Sequence, residues 1–462
     1  MKLVEQLRRH ARERADELFL IDAEGSLTYG QALQAVDTVA EKLQPVSGKQ
    51  LFLLGPDSIR LLVALVAADA VNATTCVLNA QFSTSEVREV LARLGNGHLL
   101  TTSPDPDFGT HAVYNLNELV SFPVADAPGA TAQVPDRQSK TTAKIIVLTS
   151  GTTGRPKAAV HTWERLLGQV RHTDEREPAA WLLAYPINHF AGLQVFLHCL
   201  VNRQRLIIPD SRQFFDILRA VHSNGVSAIS ATPTFWRFLI GRLSADASQG
   251  MELTQITLGG EPSTGELLAK LRSLFPRATI RQIYATTELG SCFSVQDGLP
   301  GFPQAFLERP VGNVRLKIID DELYVQVAHA TLGYAGGTQM LHSENGWVAT
   351  GDLVEIVGDR VLFRGRKAEI INVGGVKVYP PKVEEAILGI AGVVAARVYG
   401  KVNPITGQIV AAEVELREGA DPHATKKAIA ETCRQILNRY EQPREIIVTN
   451  AIGRRNEKIV RS

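Results

Sequence analysis

Residues 148–157 read Leu-Thr-Ser-Gly-Thr-Thr-Gly-Arg-Pro-Lys and follow the apolar run Ile145-Ile146-Val147. A strand that delivers a small, hydroxyl-rich loop suits an anion. Gly151 and Gly154 let backbone approach it, Thr149, Ser150, Thr152 and Thr153 offer hydroxyl and amide donors, and Lys157 adds positive charge. The Gly-x-x-x-x-Gly-Lys-Ser/Thr spacing of a Walker A loop is absent. Pro156 biases Arg155 away from helical geometry, so the loop is expected to stay irregular around a polyphosphate and to open no phosphate-capped helix. Taken alone, the same letters also describe a flexible hydroxyl-rich surface loop.

Later segments make sense as parts of one nucleotide site. Tyr284-Ala285-Thr286-Thr287-Glu288 offers an aromatic face, two hydroxyls and a carboxylate, groups that could stack on a base, bond a phosphate and hold Mg²⁺. Thr350-Gly351-Asp352 sets a carboxylate beside a glycine, suited to the two hydroxyls of a ribose. Arg364-Gly365-Arg366 is a basic turn, followed by Asn372-Val373-Gly374-Gly375. Each has a plain structural alternative: Tyr284 as core, Glu288 as a helix N-terminal charge, Asp352 as a turn former.

These residues need a scaffold. A chain of 462 residues exceeds what one core supports, so at least two domains are expected. From about residue 50 to 290, strand-like runs such as Gln50–Leu54, Lys144–Leu148, Trp181–Tyr185, Ile256–Leu258 and Ile280–Tyr284 alternate with helical stretches such as 214–222 and 265–275. That alternation predicts parallel sheet covered by helices, with ligands beyond the carboxyl ends of the strands. Residues 121–142 read as a surface connection. After residue 311 come short strands, for example Arg315–Ile319 and Glu322–Val327, and after 366 a compact tail. In that tail a helix near 424–440 is expected to place Ile429, Cys433, Ile436, Leu437 and Tyr440 on one face.

Composition narrows the class. A net charge of +1 gives no reason to expect nucleic acid or a membrane surface as partner. The four cysteines are far apart and form no CxxC pair, so neither a zinc site nor a disulfide framework is expected, and a reducing cytoplasm fits best. The apolar run Leu61–Ala68 stops at Asp69 and is too short to span a bilayer. Residues 2–18 read as a surface helix, since Glu5, Glu13, Asp16 and Glu17 argue against a transit peptide.

In this order the segments resemble the adenylate-forming superfamily of acyl- and aryl-CoA synthetases, adenylation domains and luciferase, from about residue 20 to the C-terminus. The resemblance implies an α/β protein: a large N-terminal domain of layered mixed sheets with helices (1–367), and a small mobile α+β C-terminal domain (368–462) that rotates about Lys367-Ala368. It implies that 148–157 grips the phosphates of ATP, that Gly260 and Glu261 lie on the adenine side, and that Tyr284 stacks on adenine. Thr287 would contact the α-phosphate, Glu288 would bind Mg²⁺, Asp352 the ribose, and Arg366 would face the nucleotide. Lys458, in Asn456-Glu457-Lys458-Ile459-Val460-Arg461, matches the catalytic lysine of the last motif. His189 in Pro186-Ile187-Asn188-His189-Phe190-Ala191-Gly192 matches the substrate-side histidine, with Phe190, Gln194, Phe235 and Gly259 approaching the acyl pocket. Gly374, Gly375 and Lys377 resemble the turn lining a CoA tunnel.

The resemblance implies ATP, Mg²⁺ and either CoA or a phosphopantetheinyl carrier protein as the thiol, with a carboxylic acid as substrate and a monomer or homodimer as assembly. Amino-acid-activating members carry an aspartate just after the histidine motif. Residues 190–196 here are uncharged, which favours an aryl, aliphatic or succinyl-type acid. The continuation Pro-Lys-Ala-Ala-Val-His-Thr at 156–162 is similar to that of bacterial o-succinylbenzoate-CoA ligases. Departures are Ala158 and Ala285 in place of glycine, Ala368 at the hinge, and Asn456-Glu457 where Thr-Gly is usual. Two other readings stay open: an acyl-AMP ligase loading a carrier protein, set apart by which thiol discharges the adenylate, and a non-catalytic ligand-binding relative, which the altered last motif keeps open.

Overall fold

The computed structural model describes residues 2–95, 97–103, 108, 112–120, 143–149, 157–173, 179–243, 250–327, 333–335, 343–449, 452, 454–455 and 458–459, with backbone alone at 343–344, 454–455 and 458–459. The predicted connection at 121–142 lies outside the described residues.

The alternating pattern folds into two largely parallel sheets. One sets six parallel strands side by side: Thr279–Thr286, Gln255–Gly259, Ala228–Ala231, Ala180–Leu182, Arg205–Ile207 and Leu18–Asp22. Antiparallel edge strands Gly290–Val295 and Gly25–Thr28 close it. The other runs Ala112–Asn115, His98–Thr101, Gln50–Leu54, Thr74–Val77 and Lys144–Thr149 in parallel, with Lys157–Thr162 antiparallel at its edge. The helix Ile59–Ala70, capped by Ser58, is apolar on every side, and Leu61–Ala68 are all buried, because it contacts strands of both sheets. The run that is too short to span a membrane is thus the centre of the core. Among the described residues no helix is long and apolar enough to cross a membrane.

A third, antiparallel sheet follows, built on Arg360–Arg366, Trp347–Val357, Glu322–Val327 and Val314–Ile319. Beyond it, Ile371–Val373, Val376–Val378, Val393–Asn403, Gly407–Leu416 and Glu445–Thr449 form a sheet with its own core, which includes Val383 and Ile387 of the helix Pro380–Leu388 and Ile429 and Cys433 of the helix Pro422–Ile436. The expected α/β architecture, a large N-terminal and a small α+β C-terminal part, is what the chain adopts. One expected face is shorter than read. The last helix ends at Ile436, and its C-cap Leu437 is extended. Tyr440 therefore leaves the helical register, and Ile436 and Tyr440 are exposed while Ile429, Cys433 and Leu437 are buried. All four cysteines are buried free thiols.

Two histidines inside the fold tie stability to pH. Burial and then the Arg165 guanidinium lower His161 to about 3, and burial lowers His198 to about 4, against an ordinary value of 6.5. Between these values the unfolded chain binds more protons than the folded one, so stability falls as pH drops below 6.5. The expected slope from one such histidine approaches about 1.4 kcal/mol per pH unit. Urea midpoints measured across this window should decline with acid and decline less in His161→Phe; a flat profile would sink the assignment.

Candidate active site

Strand Lys144–Thr149 pairs antiparallel with Lys157–Thr162, and Thr149 stands opposite Lys157. Lys157 therefore opens a strand, and no helix starts there. Ser150, Gly151, Thr152, Thr153 and Gly154 lie outside the described residues. Ala158, directly after the loop lysine, is buried, and its carbonyl accepts from Ala335 N at 2.8 Å.

The segment 333–335 runs along this hairpin and brings Tyr334, which sequence reasoning missed. Lys157 Nζ lies 5.5 Å from its ring centre, and its hydroxyl donates to Glu288 Oε1 at 2.9 Å. Burial and the Glu288 charge push the Tyr334 hydroxyl well up. One phenol thus touches both the loop lysine and the expected metal carboxylate. Nothing in its sequence spacing marks it.

Glu288 sits in a turn that is braced from behind. Arg165, on the helix Trp163–Gly168, donates to the carbonyl of Leu289 at 3.0 Å and of Glu288 at 3.4 Å, and bonds His161 Nδ1. Gly290 completes the turn at φ 83°, where an added Cβ would overlap the Gln169 carboxamide. His161, Arg165 and Gln169 recur every four residues, the one sequence signal that could have found this brace.

Asp352 is the other node. Its Oδ2 accepts from the Tyr284 hydroxyl at 2.6 Å, and its Oδ1 pairs with Arg366 Nε at 3.0 Å. Burial and this carboxylate push the Tyr284 phenol well up, while Asp352 raises Arg366. The Tyr284 ring lies against Phe293 at 5.1 Å and Phe363 at 5.2 Å. Ala285 sits in the strand without positive φ, so the methyl that replaces glycine costs nothing in backbone strain. Next to Asp352, Glu322 accepts from Gly351 N and from Lys367 Nζ, both at 2.9 Å.

His189 is the N-cap of the helix Phe190–Asn202, and Gly192 lets that helix close onto the Pro186 carbonyl, where a Cβ would overlap it. One cleft of about 2700 Å³ gathers Lys157, His189, Thr287, Glu288, Asp352 and Arg366. Phe190, Gln194, Gly259, Gly260 and Glu261 also line it. Glu261 has a structural task as well: it accepts from Thr234 N at 3.0 Å and Thr234 Oγ1 at 2.6 Å, at the start of the helix Pro233–Arg242.

Phe235 is a correction. It is 3% exposed, lies in the core with Ile256 and Leu258, and does not reach the cleft, because its helix turns that face onto the sheet. Gly374, Gly375 and Lys377 are exposed at a hairpin and are not brought into the cleft either. Lys458 lies on the short strand Lys458–Ile459 paired with Arg454–Arg455; its side chain is outside the described residues.

Among the described residues no group of three or more His, Cys, Asp or Glu could hold a metal by itself. A single carboxylate with phosphate oxygens is, however, how Mg²⁺ is commonly held, so Glu288 beside Lys157 fits that ion as part of a nucleotide complex.

A family model described as AMP-binding enzyme matches residues 7–334, and one described as AMP-binding enzyme C-terminal domain matches residues 382–456. The chain is similar to 2-succinylbenzoate–CoA ligase of Bacillus cereus, with 26% identity covering 94% of this chain and 92% of that one. In fold it is similar to o-succinylbenzoate CoA synthetase of Bacillus subtilis in complex with its acyl-adenylate intermediate, at TM-score 0.77 and 22% identity, covering 98% and 96% of the two chains. It is also similar to an anthranilate CoA ligase in complex with anthranoyl-AMP, at TM-score 0.83 and 19% identity, covering 99% and 95%.

The brace behind Glu288 predicts a cost for Gly290→Ala. Left-handed backbone and overlap with Gln169 should together remove about 1–3 kcal/mol. Thermal unfolding should show the loss, and adding Gln169→Ala should restore the steric part. A Gly290→Ala protein as stable as the parent would refute the brace.

Proposed function

The chain belongs to the AMP-binding enzyme family, and so to the adenylate-forming superfamily, and from that premise we propose that it activates a carboxylic acid with ATP and Mg²⁺ and passes the acyl group to the thiol of CoA. The observation that carries this reading is convergence. Lys157, Glu288, Asp352, Arg366 and His189 come from distant segments and open on one cleft.

In the first half-reaction a carboxylate oxygen attacks the α-phosphorus of ATP, the bond to the bridging oxygen breaks, and pyrophosphate leaves. An anion meets a polyanion, so the protein's task is to position both and offset charge. Lys157 and the loop hydroxyls hold the triphosphate, Thr287 contacts the α-phosphate, and Asp352 with Arg366 takes the ribose. Glu288 would hold Mg²⁺, which would supply positive charge against the departing phosphates. His189, at the positive end of a 13-residue helix, orients the acid's carboxylate. Lys458 bridges that carboxylate and the α-phosphate. In the second half-reaction the thiolate sulfur attacks the acyl carbon and AMP leaves with the electrons of the broken C–O bond.

Two further parts belong to the same proposal. The mobile unit comprises residues 368–462 and turns about Lys367-Ala368, which would carry Gly374, Gly375 and Lys377 towards the cleft for the thiol step. The acid lacks an α-amino group, because residues 190–196 contain no carboxylate to bind one; the names of the succinylbenzoate and anthranilate relatives support an aryl acid.

ATP–pyrophosphate exchange across a panel of carboxylic acids tests the reading; exchange with none of them, by folded protein that binds ATP, would falsify it. Discharge by a holo-carrier protein and not by CoA would replace the acceptor. Lys458→Ala should abolish exchange yet still transfer acyl from supplied adenylate to CoA, and an unchanged exchange rate would remove Lys458 from the mechanism. Tyr334→Phe should raise the Mg²⁺ concentration for half-maximal exchange about tenfold or more, as expected for loss of a charge-assisted hydrogen bond of roughly 1.5–3 kcal/mol to Glu288. An unshifted Mg²⁺ dependence would count against that link.

A further inference from the structure

In the proposed reaction Lys157 holds phosphates and His189 orients the acid, yet the two belong to different sheets. Lys157 opens the strand Lys157–Thr162, paired with Lys144–Thr149. His189 follows Ala180–Leu182 of the other sheet. Their separation therefore depends on what ties the two sheets together at this end. Asp57 follows Gln50–Leu54, which runs parallel to Lys144–Thr149 in one sheet. Arg212 follows Arg205–Ile207, which pairs parallel with Ala180–Leu182 in the other. Parallel strands bring their carboxyl ends to one edge, so both residues stand at the edge where such sheets take their ligands.

There they meet. Arg212 Nη2 bonds Asp57 Oδ2, and each partner also holds main chain just ahead of His189. Arg212 Nε donates to the Ala184 carbonyl at 2.9 Å, and Asp57 Oδ1 accepts from Ile187 N at 3.2 Å. The chain so held runs straight into the helix cap: His189 N donates to the Pro186 carbonyl at 3.0 Å, and the His189 carbonyl accepts from Leu193 N at 2.9 Å. Ile187 itself is buried in the core that both parallel sheets share. The pair has little contact with water, its side chains being 11% exposed for Asp57 and 24% for Arg212. Neither residue lines the cleft. A planar guanidinium donating in fixed directions to a carboxylate and a carbonyl holds geometry in a way that a point charge does not.

We propose that Asp57 and Arg212 are positioning residues for adenylation: through the main chain of Ala184 and Ile187 they set where His189 holds the acid relative to the phosphates gripped beside Lys157, and they touch neither substrate. The inference rests on the adenylating reading above. Its consequence is a split between the two half-reactions. Adenylation must bring a carboxylate oxygen of one ligand onto the α-phosphorus of another, and a small misplacement between two bound reactants costs rate while leaving each one's own binding contacts intact. In the thiol step the acyl group and the phosphate already belong to one molecule. Their relative placement is then covalent, and the distance between His189 and Lys157 no longer limits the rate.

Both half-reactions measured on the same protein samples test this, using the acid that exchanges fastest in the panel above, with benzoate, octanoate and succinate among the probes. Asp57→Asn should lower kcat of ATP–pyrophosphate exchange by about ten- to a hundredfold, with KM for ATP and for the acid held within about threefold. Acyl transfer to CoA from the supplied adenylate of that acid should stay within about threefold of the parent, so the ratio of the two rates shifts. Arg212→Lys keeps the charge but loses the fork, and it reads the same ratio should Asp57→Asn not fold. The double variant should cost little more than the worse single one, since the two residues act as a unit. A merely structural loss lowers both half-reactions by one factor, in step with the melting temperature. That result, an unchanged exchange kcat in both single variants, or a loss confined to KM overturns the positioning role alone. Absence of exchange by the folded, ATP-binding parent with every acid overturns the adenylating reading and this role with it.

Discussion

Asp352 divides its carboxylate between Tyr284, from the parallel sheet, and Arg366, the last residue of the antiparallel sheet before the chain enters its small C-terminal part. The cleft depends on this division. Two sheets with separate cores meet at the pair, and there a guanidinium and a phenol face the two oxygens of a carboxylate with little access to water. Removing either partner would leave a buried charge half-satisfied, a larger penalty than the pair's own net worth. The residue that meets the ribose in the proposed reaction is thus one that the fold itself must hold in place.

Much of the cleft shows this double use. Glu261 lines the cleft while accepting two hydrogen bonds from Thr234. Glu288 is held by Tyr334 in front and by Arg165 through its backbone behind. His189 ends a helix whose interior packs against both parallel sheets. Charges placed on strand ends and helix caps cost less to hold than charges on a free loop, since the backbone that carries them is already fixed.

What could be read from the letters follows from this. Lys144–Thr149, Gln255–Gly259 and Thr279–Thr286 were legible because a buried parallel strand is a short apolar run between turn signals. Lys157 and Glu288, which follow two of these strands, and Asp352, within Trp347–Val357, could be singled out because chemistry and position coincide in local motifs. Tyr334 was not, since its role arises from a segment laid beside a strand more than 170 residues earlier in the chain, a pairing that no local spacing encodes. Phe235 failed for the opposite reason. Thr234 beside it lines the cleft, but Pro233 starts a helix there, and helical geometry turns Phe235 inward. Tyr440 was lost to a helix end, where an extended C-cap outweighs apolar periodicity.

The proposed hinge sits at the edge of these constraints. Ala368 has no polar side chain with which to lock the turn Lys367–Glu369, yet the residues before it are anchored: Arg366 to Asp352 and Lys367 to Glu322. Both anchors lie on the large-domain side, so a rotation that begins after Lys367 leaves them intact. The interactions it must give up are those across the interface, including Arg242 with Glu415 at 2.9 Å. Glu415 is nearly inaccessible, and Arg242 stacks over Phe238 at 4.1 Å. In the proposed rotation the resistance to turning would therefore reside in this half-buried pair and its neighbours and not in the hinge, so that an alanine at 368 would leave the anchors of Arg366 and Lys367 in place.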